Sequence, residues 1–182
     1  MARLDPESLP GHVDRLYRAA WALSGSPHDA EDLVQETFLR VLSRPRILRG
    51  DDELAYLMRV LRNTYFSSRR TASRRPNVTA QLDQLDLPDQ RAGERPEHAL
   101  EAQELYAAIA ELPEDFRLAL VAVDVLGLSY AEAGRALGAR EATITTRLHR
   151  ARRKVVATLD PQEAQSGGEN RREGSASPRS LD

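Results

Sequence analysis

Apolar residues recur at intervals of three and four along almost the whole chain, and this spacing restricts the fold more than any other feature. Leu16, Ala20 and Leu23 show it near the N-terminus, and Ile144 and Leu148 show it near the C-terminus. One face of an α-helix presents residues at these intervals, whereas a half-buried strand requires strict alternation. No segment alternates in this way, so the sequence predicts an all-α protein.

Glycine, serine and proline mark the predicted helix boundaries in the first half of the chain. A first helix over 10–23 ends at Gly25, and Ser26-Pro27-His28-Asp29 then has the composition of a helix N-terminus with a capping box. The next two helices are predicted to end near residue 42 and to span 54–70. Their expected core positions are Val34, Phe38, Val41, Leu42, Leu57, Val60, Leu61 and Tyr65.

A polar stretch separates these helices from a second helical group. Proline and glycine punctuate it, and seven acids against two arginines fall between Asp83 and Glu104. This composition predicts a flexible linker. The predicted organisation is therefore an N-terminal helical domain (1–75), an acidic linker (76–96), a C-terminal helical domain (97–159) and a disordered tail (160–182).

The second domain is predicted to end in a helix-turn-helix. Ser129 and Glu132 have the spacing of a capping box that starts a short helix, and Gly138 is placed to end it. A longer basic helix follows at once. In a helix-turn-helix the second helix enters the major groove of DNA. Ile144, Leu148, Ala151 and Val155 are predicted to face the core, and the DNA candidates are Arg140, Thr143, Thr146, Arg147, Arg150 and Lys154.

The net charge of -2 conceals blocks of opposite sign. Six arginines and no acid lie between residues 54 and 82, and six basic residues with Glu141 as the single acid lie between 140 and 154. Two basic blocks on either side of an acidic one indicate two contacts with a polyanion. For either block alone, a solvated helix face would be the better interpretation.

Several function classes find no support in the sequence. There is no cysteine, and the histidines are scattered without metal-ligand spacing to carboxylates. No glycine-rich phosphate loop is present. We therefore expect neither an enzyme nor a cofactor. The N-terminus has no apolar signal region and no stretch approaches the roughly 20 apolar residues of a membrane span, so we expect a cytoplasmic protein without membrane insertion.

The chain resembles the bacterial sigma factors of the sigma-70 family, specifically the small two-domain extracytoplasmic function (ECF) group. Four stretches carry the resemblance in the family's order: DAEDLVQETFLRVL (29–42), AYLMRVLRNTYFSSRR (55–70), ELPEDFRLALVAVDVLGLSYAEAGRALG (111–138) and REATITTRLHRARRK (140–154). The resemblance implies a protein that binds core RNA polymerase, through its β′ and β subunits, and directs promoter recognition, DNA melting and transcription initiation. It also implies an anti-sigma partner.

The resemblance assigns roles to residues in the first two stretches. The first resembles the helix that docks on the β′ subunit, with Asp32, Gln35, Glu36 and Leu39 at the docking positions. The second resembles the helix that recognises and melts the minus-ten promoter element. There Asn63 and the preceding loop 44–53 would hold a base flipped out of the duplex. The minus-ten candidates are Arg49, Tyr56, Arg59, Arg62, Asn63, Arg69 and Arg70.

The other two stretches resemble the domain that recognises the minus-thirty-five element, and in the family the acidic linker threads the polymerase channel. The sequence departs from the family's common pattern at three positions. Tyr56 stands where Trp is frequent, Ser67 where an acid is common, and Thr145 where Lys or Arg is frequent. These departures affect the promoter sequence that we expect, and not the family.

The alternative hypothesis is a freestanding helix-turn-helix repressor or activator. Such a protein would bind duplex DNA without polymerase, typically as a dimer on half-sites about one helical turn apart. A sigma factor would bind duplex DNA poorly alone and would act only with core polymerase.

Overall fold

In the computed structural model the chain is described over residues 2–3, 7–43, 47–48, 53–74 and 96–160, and these residues confirm the all-α class. A 3₁₀ turn, Leu9–His12, leads directly into the first helix. The α-helices of the described ranges are α1 (Val13–Ser24), α2 (Pro27–Ser43), α3 (Glu53–Arg74), α4 (Pro96–Ala110), α5 (Glu114–Leu120), α6 (Tyr130–Leu137) and α7 (Glu141–Leu159). A π-helical turn, Val121–Val125, continues α5.

Two very short strands accompany the helices, and the sequence did not indicate them. The strands β1 (Ala2–Arg3) and β2 (Ile47–Leu48) pair antiparallel, with Ala2 opposite Leu48 and Arg3 opposite Ile47. Two residues are too few for an alternating pattern to be visible in the sequence.

The predicted helix boundaries agree with the observed caps. Gly25 adopts a left-handed conformation, with φ of 79°, and donates its N–H to the Trp21 carbonyl at 2.7 Å. The amide of Asp29 donates to Ser26 Oγ at 3.3 Å at the start of α2. Further along, Ser129 and Glu132 form the complete capping box of α6. Local chemistry therefore sets where these helices begin and end.

One of the predicted core positions on α2 is wrong. Leu42 is 51% exposed, while Val34 and Val41 are buried as expected. Leu42 follows Val41 directly and is therefore rotated by about 100° around the helix, away from the core. Leu33 and Thr37 complete the buried face instead, and Thr37 satisfies its hydroxyl by donating to the Leu33 carbonyl at 2.7 Å.

The two helical groups share a continuous apolar core. Trp21 of α1 stacks on Tyr106 of α4, with ring centroids 4.5 Å apart. Ala110, at the end of α4, lies against the backbone of Gly25. The first group is thus packed on the second in this structure. The predicted domain boundaries at 75 and 97 and the linker between them lie largely outside the described residues, and they stay predictions.

Arg117 connects the two groups through polar contacts. Its Nη1 donates to the Leu23 carbonyl at 2.8 Å and to Tyr65 Oη at 2.9 Å, and its Nη2 donates to the Leu112 carbonyl at 2.9 Å. These acceptors belong to the end of α1, to α3 and to the turn before α5. One guanidinium therefore fixes α5 against both α1 and α3.

Replacing Gly25 with alanine should destabilise the fold more than the same change at Gly138. Both glycines have positive φ, 79° and 70°. A Cβ at Gly25 would lie 2.9 Å from Ala110 Cβ, whereas a Cβ at Gly138 would meet nothing within 4 Å. The left-handed backbone costs alanine about 1 kcal/mol at either site, and the clash should add about 1 kcal/mol or more at Gly25 alone.

Urea unfolding followed by circular dichroism would measure both free energies of unfolding. The double variant Gly25→Ala/Ala110→Gly should recover the clash component. Equal losses at Gly25 and Gly138 would contradict the packing of α4 on the end of α1.

Candidate polymerase and nucleic-acid surfaces

The outer side of α2 presents an acidic surface with an apolar end. Asp32, Gln35, Glu36 and Leu39 are all exposed, and their spacing places them on one side of the helix. Leu39 is 61% exposed. Glu36 accepts from Arg40 Nε at 2.7 Å, which fixes its carboxylate on the surface. The four predicted docking residues therefore form one continuous surface.

Leu42 extends this surface by one more helical turn. It lies three residues after Leu39 on the same side of α2, and both leucines are more than half exposed. Two neighbouring exposed leucines are unusual for a solvated helix face and are typical of a contact with another protein. The three-residue spacing of Leu39 and Leu42 is visible in the sequence, but the sequence analysis expects Leu42 in the core. Asp32, Gln35, Glu36, Leu39 and Leu42 are called the docking surface below.

A cavity of about 580 Å³ lies beside the docking surface. Asp32 and Glu36 line one side of it, Tyr65 and Arg69 of α3 line another, and Arg117 of α5 also contributes. The cavity is therefore bordered by both helical groups, and its walls carry carboxylates from α2 and guanidinium groups from α3 and α5.

A second surface follows α3. Tyr56, Arg59, Asn63 and Arg70 are separated by three, four and seven residues, so they share one side of the helix. Asn63 is exposed, while Tyr56 is half-buried and packs against the core. Tyr65, on another side of α3, is buried. This group, Tyr56, Arg59, Asn63 and Arg70, is called the α3 surface below.

Positive charges are crowded beside Asn63. The pKa of Arg62 is lowered, first by its partial burial and second by the positive charge of Arg59. Arg62 Nη2 also donates to Asn63 Oδ1 at 3.3 Å, which orients the amide. Two cations that destabilise one another are stabilised when an anion binds between them. The electrostatics of this part of α3 therefore favour a phosphate.

Two of the minus-ten arginines contact the second helical group, and one minus-ten candidate lies outside the described residues. Arg69 donates to Tyr65 Oη at 3.3 Å, and its Nη1 lies 3.9 Å from Glu114 Oε2, so it borders the second helical group. Arg59, although on the α3 surface, donates from Nη2 to the carbonyl of Arg135 in α6 at 2.9 Å. Arg49 lies outside the described residues.

The third surface is the outer side of α7. Ile144, Leu148, Ala151 and Val155 are buried as predicted. Among the DNA candidates, the exposed residues are Arg140, Thr146, Arg150 and Lys154, and the half-buried residues are Thr143 and Arg147. Arg153 is also exposed, seven residues after Thr146 on the same side of α7. The same spacing argument applied to Arg153 would have added it to the candidates.

Carboxylates of α5 and of its π-helical continuation hold two arginines of α7. Arg147 Nη2 donates to Asp115 Oδ2 at 2.6 Å, and Arg152 donates to both oxygens of Asp124, from Nε at 2.9 Å and from Nη2 at 2.6 Å. The hydrogen bonds to Asp124 raise the pKa of Arg152 above its usual value. Neither acid was singled out in the sequence, because their partners lie 32 and 28 residues away.

Neither a metal centre nor a membrane segment is found in the part of the chain that the structure describes. Within the described ranges, no three histidine, aspartate or glutamate side chains are arranged to hold a metal ion. Likewise, no helix of these ranges combines the length and apolar character needed to cross a membrane.

Comparison with protein families gives two matches in this chain. Residues 11–75 match the family described as Sigma-70 region 2, and residues 102–155 match the family described as Sigma-70, region 4. The first match covers α1 to α3, and the second covers most of α4 and all of α5 to α6 with most of α7.

Curated relatives share about a third of their aligned residues with this chain. It is 36% identical over 151 residues to the ECF RNA polymerase sigma factor SigE of Mycolicibacterium smegmatis, which covers 82% of this chain and 59% of SigE. It is 35% identical over 151 residues to the ECF RNA polymerase sigma factor SigL of Mycobacterium tuberculosis, and this match covers 81% of this chain and 84% of SigL. The chain thus spans less than two thirds of SigE but most of SigL.

Solved structures with the same fold include a sigma factor in complex with an anti-sigma factor. The sigma factor RpoE of Bartonella quintana, in complex with the anti-sigma factor NepR, has a TM-score of 0.63 and 27% identity, with 84% of this chain and 94% of that chain covered. CnrH, in complex with the cytosolic domain of CnrY, has a TM-score of 0.59 and 22% identity, with 86% of this chain and 87% of CnrH covered. The second likeness supports the fold alone.

Proposed function

The chain belongs to the ECF sigma factors of the sigma-70 family, and on this premise we propose which of its surfaces bind core RNA polymerase and promoter DNA. The docking surface binds the polymerase β′ subunit. The α3 surface binds the minus-ten element and stabilises the melted strand, and the outer side of α7 binds the minus-thirty-five element. The protein acts as a transcription initiation factor and not as an enzyme, and it works in the cytoplasm, where polymerase and promoter are found.

The crowding of cations beside Asn63 is the observation that carries the minus-ten assignment. Phosphate contacts supply affinity without much sequence choice, and Arg59, Arg62 and Arg70 are suited to that role. Asn63 differs from them because its amide both donates and accepts, as recognition of a base edge requires. A flipped base costs a few kcal/mol of unstacking, which amide hydrogen bonds and stacking must offset.

The positions of these surfaces suggest a separate role for each of the two domains. We assign polymerase docking and minus-ten binding to residues 1–75, and minus-thirty-five binding to residues 97–159. An acidic linker, 76–96, is repelled by DNA and is suited to a channel that normally holds nucleic acid. The candidates Arg140, Thr143, Thr146, Arg150 and Lys154 contact the upstream element, together with Arg147 and Arg153.

An anti-sigma protein is the expected regulatory partner. RpoE of Bartonella quintana was solved with such a protein bound. The docking surface and the adjoining cavity combine exposed leucines with carboxylates. We therefore expect the anti-sigma partner to carry basic and apolar side chains that compete with polymerase for this surface.

Run-off transcription with core polymerase and a pool of genomic promoter fragments tests the proposal as a whole. We expect transcripts that depend on both this chain and core polymerase, and weak binding of the chain alone to duplex DNA. Tight binding to a palindromic duplex without polymerase, with no transcript, would instead indicate the freestanding helix-turn-helix regulator.

Replacing Leu42 with alanine should weaken binding to core polymerase about tenfold, because roughly half of a leucine side chain is removed from water at the interface. The matched control is Leu159→Ala, since Leu159 is similarly exposed, 46% against 51%, but lies at the end of α7. Both variants should unfold like the parent chain. Fluorescence anisotropy of labelled protein titrated with core polymerase would give the two affinities, and equal affinities would exclude Leu42 from the docking surface.

Replacing Asn63 with alanine should impair promoter opening more than promoter docking. The variant retains the cations that contact phosphates but loses the amide that is proposed to hold the flipped base. Permanganate reactivity of thymines in the bubble would report opening, and gel retardation of the holoenzyme would report docking. Thr71→Ala, an exposed polar change further along α3, is the control. Normal permanganate reactivity in Asn63→Ala would contradict this role.

A further inference from the structure

The pairing of Arg147 with Asp115 places a carboxylate beside one arginine of the upstream DNA surface. Arg147 Nη2 donates to Asp115 Oδ2 at 2.6 Å, and the Arg147 side chain is 27% exposed, against 60% for Asp115. Asp115 lies in the first turn of α5, which packs on α7. The exposed acid therefore lies at the edge of the proposed DNA surface, bound to the guanidinium of a half-buried arginine.

This position differs from that of Arg150 and Lys154, two other candidate cations on the outer side of α7. Arg150 and Lys154 are exposed. Arg147 is next to the buried Leu148 in the chain, its side chain is half-buried, and its hydrogen bond to Asp115 restricts its rotamers. An arginine fixed in this way loses less conformational entropy when it forms directional hydrogen bonds.

The same carboxylate makes Arg147 a poor phosphate ligand. A phosphate at this guanidinium would bring a second negative charge close to Asp115, and the two anions would repel one another. A base edge carries no net charge and does not meet this repulsion. Nη2 has a second hydrogen beyond the one given to Asp115, and Nη1 has two. One N–H from each nitrogen can therefore point at the O6 and N7 atoms of guanine.

We propose that Asp115 is a positioning residue that holds Arg147 for recognition of a guanine in the upstream promoter element. This inference rests on the proposed function, because it requires α7 to bind promoter DNA. It adds a residue outside the helix-turn-helix and states which of the candidate cations selects a base. Arg150 and Lys154, with no such carboxylate on them among the described contacts, then supply affinity through phosphates.

Transcription by the holoenzyme from a set of promoters with single-base substitutions in the upstream element tests the inference. The template is a promoter recovered in the run-off experiment, with each base placed in turn at every position of its upstream element. The parent chain should prefer guanine at one position by roughly tenfold or more, the discrimination typical of a bidentate arginine. Arg147→Ala should remove that preference.

Asp115→Ala should reduce the preference several-fold at the same position and leave the other positions unchanged. The double variant Asp115→Ala/Arg147→Ala should have the same guanine preference as Arg147→Ala alone, because both changes act on one contact. Asp115→Asn keeps an acceptor oxygen and should retain part of the preference. In Asp115→Ala the released guanidinium should also reach phosphate, so the slope of binding against salt should steepen by up to about one unit.

Asp124→Ala is the matched control, since it removes the carboxylate partner of Arg152 on the opposite flank of the same helix. It should leave the guanine preference intact. An unchanged preference in Asp115→Ala, or an equal loss on every promoter variant, would overturn the inference while the transcription by the parent chain still supports the proposed function. No transcript from the parent chain on any fragment would overturn both.

Discussion

The arrangement of the molecule depends on the hydrogen bonds of Arg117. This guanidinium binds the carbonyls of Leu23 and Leu112 and the hydroxyl of Tyr65, and so fixes α5 to the end of α1 and to α3. Because α7 packs on α5, the position of the third surface relative to the α3 surface follows from that contact. The stacked rings of Trp21 and Tyr106 support the same arrangement through apolar burial.

In this arrangement two exposed arginines of α3 have partners in the second helical group. Arg59 donates to the Arg135 carbonyl, and Arg69 lies beside Glu114. When Arg59 binds DNA as proposed, it exchanges the Arg135 carbonyl for a phosphate. Because the same donor serves the contact between the two helical groups and the proposed contact with DNA, the net gain in binding free energy is smaller than for a fully solvated arginine.

Most of the helices and their capping residues could be predicted from the sequence, because both depend on neighbours within one or two turns. The capping box of Ser129 and Glu132 and the left-handed ends at Gly25 and Gly138 are of this kind. Leu42 was assigned to the wrong side, because a leucine beside a buried valine fits either face when the helix rotation is uncertain by one residue. Asp115 and Asp124 could not be identified from the sequence, because their arginine partners lie 32 and 28 residues away in the chain. The neighbouring residues of such an acid do not differ from those of a solvated acid.

Local sequence patterns specify the helical class, the helix ends and the buried side of α7, and four resembling stretches indicate the family. Periodicity and capping are local, and a family resemblance needs only residue order. Tertiary contacts show which arginines have protein partners and which of the DNA candidates on α7 is held by a carboxylate. These contacts join side chains tens of residues apart, which the packing of α5 on α7 and of the first helical group on the second brings together. The exposure of Leu42 beside Leu39 depends instead on how α2 is rotated against the core, which the spacing of its apolar residues leaves open.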